Sequence, residues 1–343
     1  MFQNLQKRIK SLKPIVVMHD FFIDRIVRLN DFDSLLDTAS AKIESGGGSI
    51  RGIEQTEIKG GNAVNVAYTL AKLGARTSLI TLADSYGLGI LKNAFSPFKH
   101  SKLIATNGVQ GYTISVEVER NNVKGKANVM LSDVGDAGNF GVDKLGKHEL
   151  SVIKGASAVM ITNWASNLKG TELALKAFKT ARKEALCFLD PADISTRIQD
   201  FKTSLSTLRD SLDILSVNEN ECRLLMESLG LGKLPMNYSK EDVGDAAKRL
   251  AEELSITVDV HTPLGVATSK GNETVFVQSF DVDVKITTGA GDVWDAADMI
   301  GYLCKLDASE RLLFANACAA LYVSNANGYS PTLKEVLGFI SNH

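Results

Sequence analysis

The segment Thr287-Thr288-Gly289-Ala290-Gly291-Asp292 sets a small-residue loop and one carboxylate directly ahead of a helical-looking run, Val293 to Leu303. Such a loop presents main-chain N–H groups to an anion, and the helix dipole reinforces that field. Asp292 stands where a base would take the proton of an attacking hydroxyl. The layout suits phosphoryl transfer. A glycine turn with Asp292 as an ordinary helix-start residue accounts for the same letters, so the choice rests on the rest of the chain.

Two further segments bear on it. Gly60-Gly61-Asn62-Ala63-Val64-Asn65 opens another helical pattern. Paired glycines let the chain pivot, while Asn62 and Asn65 offer amide donors and acceptors to hydroxyls; a capping Asn62 with Asn65 exposed on the first turn is the plainer alternative. The stretch Asp213 to Glu221 ends an apolar strand in Asn218, Glu219, Asn220 and Glu221. Polar groups at the carboxyl end of a parallel strand lie where open α/β sheets bind ligands. Glu221 suits a water of hydrated Mg²⁺, an ion that keeps several waters, although a plain strand-to-helix turn would look the same. Asp190-Pro191-Ala192-Asp193 reads either as a cleft residue pair or as a turn, and Arg197 is a candidate phosphate contact.

Together these segments, from about Ile15 to the end of the chain, resemble the ribokinase-like (PfkB) carbohydrate kinase family. The resemblance implies Asp292 as the catalytic base and Gly289, Ala290 and Gly291 as the anion hole. It implies Asp24, Gly60, Gly61 and Asn65 at the acceptor. Asn218, Glu221, Thr262, Gly265 and Asn316 fall on the nucleotide side, with Glu221 reaching the metal through water. ATP and Mg²⁺ are the implied cofactors and a small polyol the implied acceptor; a homodimer through a lid is compatible with it. The implied fold is α/β, a ribokinase-like three-layer α/β/α with a mainly parallel central sheet and a small projecting β-sheet lid.

Some positions depart from the family pattern. His19 stands where Gly is usual, and His261-Thr262-Pro263-Leu264-Gly265 lacks the first Gly of the nucleotide turn. Trp294 replaces a common Phe. Asp298 occupies a position that is usually apolar and is expected to face solvent or bond locally. Asn62 stands where phosphofructokinase-like relatives often carry Lys, and a neutral amide does not offset a phosphate dianion. An unphosphorylated sugar or sugar acid therefore ranks first as acceptor and a nucleoside second. A catalytically silent nucleotide- or sugar-binding regulator on the same fold is the rival from another class, motivated by His19 and Thr262. A dinucleotide oxidoreductase would need G-x-G-x-x-G after Ile15 to Met18, which is missing, and there is no Walker A sequence.

The elements that must position these residues show as short apolar runs alternating with helix-length amphipathic segments. Ile15 to Met18, Ser78 to Leu82, Ala158 to Ile161, Leu186 to Leu189, Ile214 to Val217 and Ile256 to Val260 read as strands. Ala63 to Leu73, Thr171 to Glu184, Glu241 to Leu254 and Ala308 to Val323 read as helices. Residues 14–343 are expected to form one kinase domain after an N-terminal arm at 1–13, a solvated helix or tail. Lid segments are expected at about 21–57 and 106–134. Within the second, Ile114, Val116 and Val118 alternate with Ser115, Glu117 and Glu119, the pattern of a half-buried antiparallel strand.

With 38 Lys and Arg against 40 Asp and Glu, the net charge is −2, which gives no footprint for nucleic acid or an anionic membrane. No run approaches the roughly 20 apolar residues of a membrane span. The cysteines, Cys187, Cys222, Cys304 and Cys318, form no CxxC pair and read as reduced core residues. With no signal-peptide pattern at the start, a cytoplasmic protein is expected.

Overall fold

β1 (Ile15–Met18) sets the plan of the molecule. Its four side chains are all buried, Ile15 and Val17 in one apolar cluster, Val16 and Met18 in another. A strand buried on both faces requires a layer of helices on each side. The computed structural model describes residues 2–29, 31–119 and 126–343; residue 30 and residues 120–125 of the expected lid segments lie outside the described residues.

The remaining strands are β2 (Phe22–Leu29), β3 (Glu54–Gly60), β4 (Thr77–Ala83), β5 (Lys102–Asn107), β6 (Gly111–Glu119), β7 (Lys126–Asp133), β8 (Ala158–Thr162), β9 (Leu186–Asp190), β10 (Ile214–Asn218), β11 (Thr257–His261), β12 (Gly265–Lys270) and β13 (Glu273–Gln278). The large sheet has the order β13-β12-β11-β10-β9-β8-β1-β4-β5. It is parallel except for β12 and β13, which pair antiparallel at one edge. The apolar runs expected as strands are β1, β4, β8, β9, β10 and β11.

The helices are α1 (Leu5–Ser11), α2 (Phe32–Glu44), α3 (Asn62–Lys72), α4 (Ser85–Phe95), α5 (Lys147–Lys154), α6 (Gly170–Thr180), α7 (Ile198–Leu208), α8 (Glu219–Leu229), α9 (Lys240–Leu254), α10 (Ala290–Leu303), α11 (Ala308–Val323) and α12 (Leu333–Asn342). α1, α3, α4 and α10–α12 pack on one face of the large sheet, α5–α9 on the other. The expected helix at Thr171 to Glu184 stops early, because the chain turns extended at Ala181. The segment before Ile15 is docked rather than solvated. Leu5 and Ile9, one helical turn apart, are both 1% exposed and Phe2 lies 5.8 Å from Phe314, while Lys7 and Lys10 stay outside.

The small sheet has the order β3-β2-β6-β7, with β2 antiparallel to β3 but parallel to β6. β6 alternates as expected, yet the buried face is the polar one. Thr113 and Ser115 are 5% and 3% exposed, while Ile114 is 45% exposed beside Leu131 of β7. The polar row turns toward the cavity described below, and the apolar row is left on the outside.

Candidate active site

The carboxyl ends of the parallel strands collect on one side of the large sheet, the edge where such folds bind ligands. Just past β1, Asp20 is fully buried and accepts from the main-chain N–H of Asn62 (2.8 Å) and Ala63 (2.9 Å), and from Asn163 Nδ2 (3.0 Å). α3 has Gly61 at its N-cap and no cap from its own side chains, so Asp20 supplies the missing acceptor from 42 residues away. This bond pins the glycine pair. Gly60 is required by close approach, since a Cβ there would overlap the Asp24 carboxylate brought in by β2.

The loop before α10 is held from behind. Gly289 is its N-cap at φ +84°, a left-handed conformation that suits glycine, and Tyr322 Oη donates to Thr288 O at 2.8 Å. The N–H of Ala290 is engaged by Thr287 O at 3.1 Å, which removes Ala290 from the expected anion hole. Among the described residues, the amides of Gly289 and Gly291 have no main-chain acceptor. One turn on, Asp292 is 5% exposed; its Oδ2 accepts from Asn65 Nδ2 at 3.0 Å, and its Oδ1 is buried with no partner.

These pieces line a cavity of about 810 Å³, which takes in Asp24, Gly61, Asn65, Asn218, Glu221, Thr262, Asn316 and the loop from Thr287 to Asp292. A smaller cavity of about 250 Å³ adjoins it, sharing Asp24, Asn65, Met130 and Thr288, and adds Lys59 and Tyr68. Gly60 and Gly265 do not line either space. Gly265 faces Phe276 and the Val277 carbonyl and closes a tight turn with Thr262, whose Oγ1 donates to Gly265 O at 2.8 Å.

On the nucleotide side of the expected layout the side chains are heavily engaged. Asn218 and Glu221 form a complete capping box at the start of α8: Asn218 Oδ1 accepts from the Glu221 N–H, and Glu221 Oε2 from the Asn218 N–H. Asn316 accepts from Trp294 Nε1 at 2.9 Å and donates to the carbonyls of Val277 and Gln278. It therefore shapes the cavity wall more than it offers free donors. Arg197 lies outside the cavities. Its guanidinium covers the Trp164 ring at 4.3 Å and donates to the carbonyls of Ala165 and Asn167, so a phosphate contact is not its role. Asp298, expected near solvent or locally bonded, is wholly buried and pairs with Arg311 from α11.

The electrostatics are dominated by buried acids. Burial, then the nearby Asp190 charge, pushes Asp292 well above the usual carboxylate range, while the Asn65 hydrogen bond pulls it back. Burial likewise raises Asp24 and Asp190, each to about 6. Glu221 rises through burial and the Asp190 charge. Burial lowers Lys59 to about 8, opposed by Asp292 and Asp24. His261 at the end of β11 is lowered to about 4 by burial and stays neutral, its ring stacked 5.6 Å from Trp294.

Sequence reasoning passed over Asp20, Lys59 and Asn163, and it named His261 only as a departure in the nucleotide turn. Lys59 carried a readable signal, a cation next to the glycine pair. Asp20 and Asn163 carried none, because their partners lie far away in the chain: Asp20 takes main-chain N–H groups of Asn62 and Ala63, and Asn163 donates to the Asp20 carboxylate.

A helix start whose Gly289 and Gly291 amides have no main-chain acceptor among the described residues, a buried carboxylate with an unpartnered oxygen and a second carboxylate on a small sheet share one cavity in what is a phosphotransferase with an alcohol group as acceptor. The model of the pfkB family carbohydrate kinases matches residues 32–335, and the chain belongs to that family. It is 26% identical over 326 residues to a ribokinase of Bacillus subtilis, covering 89% of this chain and 96% of that one. It is 27% identical over 303 residues to an ATP-dependent ribose-1-phosphate kinase of Halopiger xanaduensis, covering 86% and 90%. The Arabidopsis thaliana ribokinase structure, complexed with ribose and ATP, superposes with a TM-score of 0.72 at 20% identity over 96% of this chain and 99% of that one, a likeness of fold.

Proposed function

We propose that this chain moves the terminal phosphoryl group of ATP to a hydroxyl of a small polyol, with an unphosphorylated sugar or sugar acid as acceptor. The observation that carries the reading is the unpartnered Oδ1 of Asp292 on the same cavity as the Gly289 and Gly291 amides. Asp292 takes the proton of the acceptor hydroxyl as that oxygen attacks the γ-phosphorus, while the bond from that phosphorus to the β,γ-bridging oxygen breaks and ADP leaves with the bridging oxygen. The two amides stabilise the charge on the group in transfer. Asp24 orients acceptor hydroxyls with the remaining capacity of Asn65, and positioning supplies much of the rate. The apolar wall of Phe280, Val282, Val284, Ala319 and Val323 suits the base of the nucleotide.

Mg²⁺ fits the donor set. Among the described residues no group of three or more His, Cys, Asp or Glu forms a metal cage. Glu221 is instead a single buried carboxylate crowded by Asp190, Asp193 and Glu219. A hydrated ion carried on the nucleotide phosphates needs few protein ligands and relieves that crowding, with Glu221 holding it through water. When bound, it supplies charge neutralisation to the phosphates.

In this reading residues 14–343 are one kinase domain, and the small sheet is the lid that excludes water from the reaction. Its outward apolar residues, Ile114 and Leu131, offer the surface for a lid-to-lid homodimer. No helix among the described residues is long and apolar enough to cross a membrane. Four separate buried thiols accord with a cytoplasmic location.

A second reading, a phosphorylated pentose as acceptor, is favoured by Lys59 on the smaller cavity and by the name of the Halopiger relative. The deciding experiment is acceptor-dependent ADP release across sugars, sugar acids, polyols and nucleosides, with kcat/KM compared for each acceptor and its phosphorylated counterpart. Preference for the unphosphorylated members supports the first reading. Preference for the phosphorylated ones transfers the assignment to the second, and no turnover with any acceptor would leave a silent binding protein.

A further inference from the structure

Lys59 is the last side chain of β3 before the glycine pair, partly buried, and its Nζ lies 3.3 Å from Asn65 Oδ1. The ammonium also sits 4.2 Å from the centre of the Tyr68 ring. No carboxylate oxygen of a described residue comes within ion-pair distance of it; Asp24 and Asp292 act on it from farther away. Asn65 in turn donates through Nδ2 to Asp292 Oδ2 at 3.0 Å. A cation on one side of the amide and a carboxylate on the other agree on one orientation, with oxygen toward Lys59 and nitrogen toward Asp292.

We propose that Lys59 is a positioning residue for the base: its ammonium fixes the Asn65 amide so that Nδ2 faces the Asp292 carboxylate, in a Lys59–Asn65–Asp292 relay. The inference rests on Asp292 being the base. The relay holds Oδ2 still and leaves Oδ1 for the acceptor hydroxyl. It also offsets the groups that oppose ionisation of Asp292. Those facing Asp292 are Asp190 at the end of β9, Asp20 after β1, Asp295 one turn on along α10 and Tyr322 of α11; Lys59 provides the opposing positive charge. Those facing Lys59 are Asp292, Asp24 of β2 and the Tyr68 ring of α3, with Glu117 of β6 on the same cavity wall, where it pairs with Arg28. Asn62, at the position where a cation was sought in the sequence, instead faces the Asp190 carboxyl.

The test reads the Asp292 carboxyl directly. In protein labelled with ¹³C-aspartate, the Asp292 resonance is identified by its loss in Asp292→Asn and titrated in wild type, Lys59→Met and Lys59→Arg. Lys59→Met removes the charge and keeps the length of the stem, and should raise the Asp292 titration midpoint by half a unit or more. Lys59→Arg should return most of that shift. With ATP and D-ribose as the probe acceptor, Lys59→Met should lower kcat about tenfold, move the acid limb of the kcat profile to higher pH, and leave the KM for ribose within about twofold. An unmoved Asp292 midpoint in a folded Lys59→Met protein overturns the relay. A large rise in acceptor KM at unchanged kcat also overturns it and makes Lys59 a ligand of the acceptor. Failure of the base assignment is separate: it would show as near-normal turnover in Asp292→Asn, whatever Lys59→Met does.

Discussion

Asn65 and Asp292, 227 positions apart in the chain, meet through a 3.0 Å amide-to-carboxylate hydrogen bond. The bond joins the first turn of α3 to the first turn of α10 and sets the proposed acceptor site and the proposed base at one fixed spacing. Because the amide is engaged on both sides, Asn65 contributes orientation as much as direct contact with a hydroxyl.

Replacing Asp292, the proposed base, isolates its chemistry from its shape. Asp292→Asn keeps size and most hydrogen bonding but loses basicity, so turnover should fall about 10²-fold or more with the affinity for ATP little changed. Steady-state kinetics with isothermal titration of nucleotide checks both halves. Near-normal turnover would take Asp292 out of the proton transfer.

Asp24 gives a pH-dependent prediction. Burial raises its carboxyl to about 6, so, with Asp24 in its proposed role of holding acceptor hydroxyls, the acceptor KM should climb as the pH falls through about 6, where that carboxylate becomes protonated. Asp24→Asn should raise the acceptor KM by one to two orders of magnitude, at roughly 1.4 kcal/mol per tenfold, and flatten that pH dependence. The sign for folding is opposite to that of a salt-bridged carboxylate. The folded state binds this proton more tightly, so the contribution of Asp24 to stability is full below its ordinary value of 3.8 and is lost as pH rises to about 6. A stability profile by urea unfolding in both proteins measures the difference.

Gly60→Ala tests the close approach of β3 to Asp24. The added methyl must displace the Asp24 carboxylate, so acceptor affinity should drop while the KM for ATP holds. Equal losses for both substrates would mean that the whole α3 start had moved.

Arg311 lies away from the cavity and should matter for stability. It is 3% exposed and pairs with Asp298 and Asp259, both fully buried. Arg311→Leu leaves two buried carboxylates without their cation and should cost about 3–5 kcal/mol, whereas replacing all three by apolar residues of similar volume should recover most of it. Chemical denaturation of the two variants decides between a structural ion network and a dispensable one.

The middle of the large sheet was legible because β1, β4, β8, β9, β10 and β11 are short apolar runs, the pattern of covered parallel strands, whereas β5, β12 and β13 at its edges carry no such run, and β5 and β13 are partly exposed. The three motif segments also converge on one cavity, by different routes: Asn218 to Glu221 ends β10 of the large sheet, Gly60-Gly61 ends β3 of the small sheet, and Thr287 to Asp292 opens α10. The orientation of β6 was not legible. Alternation reports a period of two but not which face is covered, and here the cavity covers Thr113 and Ser115 while Ile114 stays outside. Arg197 misled for a related reason: carbonyls after β8 and the Trp164 ring, invisible as partners in the sequence, occupy its guanidinium. Lys59 escaped notice because a cation was sought after the glycines and it stands before them.

Asp24 belongs to the small sheet, whereas Asp292 belongs to α10 in the main layer. A ligand that touches both therefore acts as a clamp between two bodies, and its affinity is tied thermodynamically to how they sit together. Substitutions on the outer row of β6, far from any ligand atom, should then alter acceptor affinity by changing how readily the small sheet settles. By reciprocity, a saturating acceptor should slow amide hydrogen exchange along β2 and β6 even when no nucleotide is present.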